Sequence, residues 1–101
     1  MTRSKSKKPA GSDLVDALLA LRSRREIEAF LTDLCTPGEI KALSERWRVA
    51  QLLDKGDLSY REIAEAAPSS TATVTRVARF LKDMPYHGYR CAIDRLSGQS
   101  S

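Results

Sequence analysis

The side chains best suited to chemistry fall in one segment, Pro68 to Lys82 (PSSTATVTRVARFLK), where hydroxyls give way to cations and no carboxylate intervenes. Hydroxyls exchange hydrogen bonds with base edges, a small methyl packs against thymine, and guanidinium or ammonium groups hold phosphate. That inventory suits the recognition of duplex DNA. Nothing comparable exists for bond making. His87 is the single histidine, and Cys35 and Cys91 stand in unrelated contexts without CxxC spacing. Neither a Cys–His nucleophile nor a zinc set can be built from them, so both thiols are expected free, with no metal, no cofactor and no enzymatic activity. The five glycines are scattered singly, which leaves no phosphate-cradling loop.

A helix is what would position this segment. Val74, Val77, Ala78 and Leu81 recur at i, i+3, i+4 and i+7 and mark a buried face. At about 100° per residue the opposite face carries Ser69, Ala72, Arg76 and Arg79, flanked by Thr73 and Thr75. Short side chains near its N-terminus would let such a helix enter a major groove about 12 Å wide, and the helix N-terminus favours a phosphate. The preceding residues offer Leu58, Ile63, Ala64 and Ala67 to a core. The small Ala64 permits a close crossing, and a tight turn holds Pro68. Residues 58–82 are therefore predicted as a helix-turn-helix. The bland alternative is that two short helices joined by a turn also occur in proteins that never touch DNA, and a Ser/Thr-rich turn is good helix-capping chemistry in its own right.

The rest of the chain reads as helical, six helices in all. Three S/T-x-x-E capping boxes mark starts: Ser23 with Glu26, Thr36 with Glu39, and Ser59 with Glu62. Pro37 suits the first helical position, and Gly56 is a natural stop. The first helix, from Ser12, carries Leu14, Val15, Leu18, Leu19 and Leu21. The second places Ile27, Phe30, Leu31 and Leu34 at helical spacing. The third, from Pro37 to about Lys55, aligns Ile40, Leu43, Trp47 and Ala50, widened by Val49, Leu52 and Leu53. Short helices are predicted at about 59–67 and 70–83, and a last one after Pro85, with His87 at its start. Trp47 is expected in the core, while Tyr60, Tyr86 and Tyr89 suit either base stacking or helix interfaces. Apolar faces this wide in 101 residues point to a homodimer that covers them. A compact monomer is the alternative.

Charge is unevenly placed. Arg3, Lys5, Lys7 and Lys8 account for the whole net charge of +4, so the chain from Ser12 onward is neutral. Residues 1–11 read as a disordered basic arm able to add salt-sensitive affinity for phosphate, and 12–101 as one helical dimerisation and DNA-binding domain. The longest apolar run, Ala17 to Leu21, is too short to span a bilayer, and no signal-peptide pattern follows the basic start, so a cytoplasmic protein without a membrane partner is expected.

From Leu34 to Lys82 the sequence resembles the Trp repressor family, most of all its YerC/YecD-type TrpR-related members. The landmarks are Thr36-Pro37 with Glu39, Ala42-Leu43, Arg46, Arg48, Gly56, Ser59, Arg61-Glu62 and Ala72-Thr73-Val74-Thr75-Arg76, which run without a gap. The resemblance implies an all-α, six-helix chain in an intertwined homodimer that regulates transcription, as a repressor, on a roughly palindromic operator. It assigns the reading head to Ser70, Thr71, Ala72 and Thr75, with Arg61 on the preceding helix. The full expected DNA-binding set is Arg61, Ser69, Ser70, Thr71, Ala72, Thr73, Thr75, Arg76, Arg79 and Lys82. Thr36, Arg46 and Arg76 match the positions that hold tryptophan in the family's best-known member. Val77 and Phe80 stand where small residues belong, and overfilling a packed site costs on the order of 1–3 kcal/mol. Tryptophan is thus disfavoured as co-repressor. A smaller effector between Arg46 and Arg76, or a site filled by Val77 and Phe80 themselves, are the two outcomes left. The rival functions are a protein-interaction module of the transcription machinery and a sequence-independent nucleic-acid binder using the arm.

Overall fold

The computed structural model describes residues 9–98 of the chain, so the basic arm up to Lys8 lies outside the described residues. Six helices and, among the described residues, no strand make up the fold: α1 (Ser12–Ala20), α2 (Arg24–Leu34), α3 (Pro37–Lys55), α4 (Tyr60–Ala66), α5 (Thr71–Lys82) and α6 (Gly88–Leu96). The helix count and order agree with the expectation. Two compact units divide the chain, one ending at Pro37 and one beginning at Gly38.

In the first unit, α1 follows Gly11, whose φ of 86° is a left-handed turn that glycine adopts without strain. Ser23 starts α2 by accepting a hydrogen bond from the Glu26 N–H at 3.1 Å. The reciprocal half of the expected capping box is displaced by one residue, because the Glu26 carboxylate accepts from the Arg22 N–H at 2.7 Å. It still satisfies a donor ahead of the helix and still places negative charge in the first turn. Neither helix buries any residue: Leu14, Val15, Leu18, Leu19, Ile27 and Leu34 all remain exposed.

The second unit holds the core. Val49, Ala50, Leu52 and Leu53 of α3 pack with Ile63, Ala64 and Ala67, with Val74, Val77 and Ala78 of α5, and with Ile93 of α6. Ile63, Val49, Val74 and Val77 are the largest side chains fully withdrawn from solvent. Each contributes roughly 1.5–3 kcal/mol relative to exposure. Trp47 packs against this cluster half-buried and stacks on Tyr89, ring centroids 6.4 Å apart. Two core expectations need correction. Only the C-terminal half of the α3 stripe is buried, Leu43 being 44% exposed, and Leu58 is 37% exposed because it precedes the first turn of α4.

Local chemistry explains the element ends. Gly56, at φ 77°, closes α3 through a hydrogen bond from its N–H to the Leu52 carbonyl. The complete Ser59/Glu62 capping box opens α4. His87 does begin α6, at a left-handed φ of 58°, although its imidazole makes no capping bond. Arg90 ties α6 to α3 by donating to Asp54 at 2.8 Å while also donating to Asp94 at 3.1 Å. The hydrogen bond to Asp54, reinforced by both negative charges and opposed by partial desolvation, raises the Arg90 pKa further above its already high value.

Candidate nucleic-acid interface

The two helices of the predicted helix-turn-helix, α4 and α5, are built on the second unit's core. On α4, Ile63 and Ala64 face inward, and the small Ala64 side chain, 8% exposed, lets α5 pack close. The chain leaves α4 with the Ala67 N–H on the Ile63 carbonyl and the Ser69 N–H on the Ala64 carbonyl, which satisfies two orphan acceptors of a buried helix end. Pro68 is exposed between them and withholds no donor from this pattern. Ser70 then caps α5 by accepting from the Thr73 N–H at 3.0 Å.

With Val74, Val77 and Ala78 inward, the predicted outer residues Ala72, Arg76 and Arg79 are exposed, as are Ser70, Thr71, Thr75 and Lys82, whereas Ser69 and Thr73 are half-buried. The hydroxyls are not equivalent. Ser70 donates its proton to Thr73 Oγ1 at 3.0 Å, so these two are tied to each other and to the helix start. Thr75 donates to the Thr71 carbonyl at 3.0 Å and remains exposed. Thr71 makes no side-chain hydrogen bond among the described residues and is free to donate and accept.

The cations of this region are free of carboxylates. Arg61, Arg76, Arg79 and Lys82 form no ion pair among the described residues, while Arg24, Lys41 and Arg90 each hold a carboxylate. Arg61, Ser69, Ser70, Thr71 and Thr73 line an open groove of about 710 Å³ together with Lys41 and Glu45 of α3 and Glu65 of α4. Sequence reasoning did not place Lys41, Glu45 or Glu65 there. The Lys41–Glu45 ion pair, at 2.6 Å, follows from their i,i+4 spacing, but no pattern in the sequence shows which face of α3 meets the turn.

Val77 is 1% exposed and belongs to the core cluster. Phe80 is half-buried beneath the Arg76 guanidinium, 4.3 Å from its centroid, and stacks on Tyr86. Arg46 is half-buried in the second unit, and Thr36 belongs to the first. The geometry therefore joins Arg76 to Phe80 and commits Val77 to packing.

Comparison with known proteins agrees with this architecture. The family described as Trp repressor protein matches residues 12–97. YerC of Bacillus subtilis (strain 168) is 37% identical over 83 residues, covering 82% of this chain and 78% of YerC. A Trp operon repressor homolog of Chlamydia trachomatis serovar L2 is 39% identical over 70 residues, covering 65% of this chain and 74% of its own. The crystal structure of a TrpR-like protein from Eubacterium eligens superposes with a TM-score of 0.80 at 37% identity, covering 94% of this chain and 96% of the other.

Proposed function

This chain belongs to the Trp repressor family of DNA-binding regulators, and on that premise we propose that it acts as a homodimeric, sequence-specific transcriptional repressor. The observation that carries the proposal is the outer face of α5, where Thr71, Ala72 and Thr75 stand exposed on a helix that carries three cations without ion pairs and no acid of its own. Thr71 and Thr75 read base edges and the Ala72 methyl meets thymine, while Arg61, Arg76, Arg79 and Lys82 hold the backbone and set register. Ser70 and Thr73, tied together, fix the start of the reading helix, and Ser69 lines the groove beside them.

The exposed leucines of α1 and α2 support pairing with a second copy, which would present two reading helices to half-sites about one helical turn apart. The commitment of Val77 to the core supports activity without tryptophan. Selection of bound duplexes from a random pool by the purified protein tests the whole reading. A palindromic consensus is expected, and a pool that shows no enrichment overturns it. Light scattering should return a dimer mass. A thermal-shift screen of amino acids and nucleotides should show no stabilisation, and a clear shift with any one compound would defeat the ligand-independent mode.

A further inference from the structure

The two arginines of α5 are not independent of each other. Arg76 lies with its guanidinium carbon 4.3 Å from the Phe80 ring centroid, and Arg79 lies 5.7 Å from the same centroid. The ring is itself braced, stacking on Tyr86 at 6.4 Å with an interplanar angle of 16°. Two like charges gathered at one ring repel, and among the described residues no carboxylate pairs with either. The π-face attracts each cation and restricts its rotamers, but it does not neutralise them. An anion supplied from outside the chain completes the arrangement.

We propose that Phe80 is a positioning residue that gathers Arg76 and Arg79 into one clamp for a backbone phosphate of bound DNA. The inference rests on the DNA-binding reading and adds to it a named cause for the order of the clamp. A guanidinium already restrained by the ring loses less freedom on meeting a phosphate, and the i,i+4 spacing of Arg76 and Phe80 keeps the contact on one side of the helix. Phe80 is only half-buried, so its ring can be exchanged without emptying the core.

The test uses the full chain and a duplex taken from the random-pool selection, with affinity measured by fluorescence anisotropy. Phe80→Leu keeps apolar bulk but removes the π-face, and should weaken binding about three- to tenfold, roughly the cost of ordering one released arginine side chain at the phosphate. Phe80→Trp keeps a π-face and should bind within about twofold of the parent. In an Arg76→Ala/Arg79→Ala background, measured at low salt, Phe80→Leu should have no further effect. An equal loss in both backgrounds would mark a purely structural role and overturn the proposal, as would full affinity of Phe80→Leu or a Phe80→Trp protein that binds like the leucine variant. In all those outcomes the parent chain still binds its duplex. A parent chain that binds no duplex would instead remove the DNA-binding reading and the clamp with it.

Discussion

The two units of this chain treat apolar side chains in opposite ways. From Gly38 onward, α3 to α6 bury a contiguous cluster from Val49 to Ile93, whereas α1 and α2 bury nothing and leave leucine after leucine in solvent. Contiguous exposed apolar surface of the second kind is typical of interaction sites. The contrast fits the proposed division of labour, in which the second unit would supply the reading head and the first a surface for a second copy.

The largest expected effect lies in the core. Ile63→Ala should destabilise the protein by about 3 kcal/mol in denaturant titration, through the lost transfer energy and the cavity left behind. A loss under 1 kcal/mol would mean that this unit is not the stable one. Next, Val15→Glu combined with Leu19→Glu, at positions 53% and 78% exposed, should leave helicity nearly unchanged but weaken self-association at least tenfold in sedimentation equilibrium. If the mass does not change, the first unit has another use. Arg79→Ala should weaken binding to all duplexes and flatten the salt dependence by about one unit, so a change confined to sequence preference would contradict its phosphate role. Ser59→Ala removes the α4 cap and should lower stability by about 1 kcal/mol without altering which sequences are selected. The smallest effect is expected at Glu65, an unpaired carboxylate lining the groove beside Thr71, where Glu65→Gln should tighten binding by no more than a fewfold; weaker binding would assign it a contact to a base amino group.

Much of this architecture was legible because local chemistry and tertiary packing agree. Gly56, the Ser59/Glu62 box and the Val74, Val77, Ala78 spacing each act within one or two turns, and each appears where the pattern placed it. Only part of what escaped depends on partners distant in the chain. Periodicity marks Leu43 as apolar without saying which surface covers it. Phe80 stands where the family has a small residue, which marks it as volume within an effector site, whereas its contact with Arg76 is permitted by i,i+4 spacing but not required by it. The bond from Thr75 to the Thr71 carbonyl was equally accessible to local reasoning, yet hydroxyl content alone did not separate donors already engaged from the free one on Thr71. No helix among the described residues is long and apolar enough to cross a membrane, in keeping with the short apolar runs of the sequence.

Gly56 directs the backbone from α3 toward α4, and a β-carbon added there would meet no atom within 4 Å. Steric exclusion by neighbours is therefore irrelevant at this bend, and torsion alone selects the residue. An L-alanine should incur roughly 1–2 kcal/mol. A D-alanine installed by chemical ligation prefers the mirror-image torsions and should be at least as stable as glycine, making handedness the sole determinant of what the bend accepts.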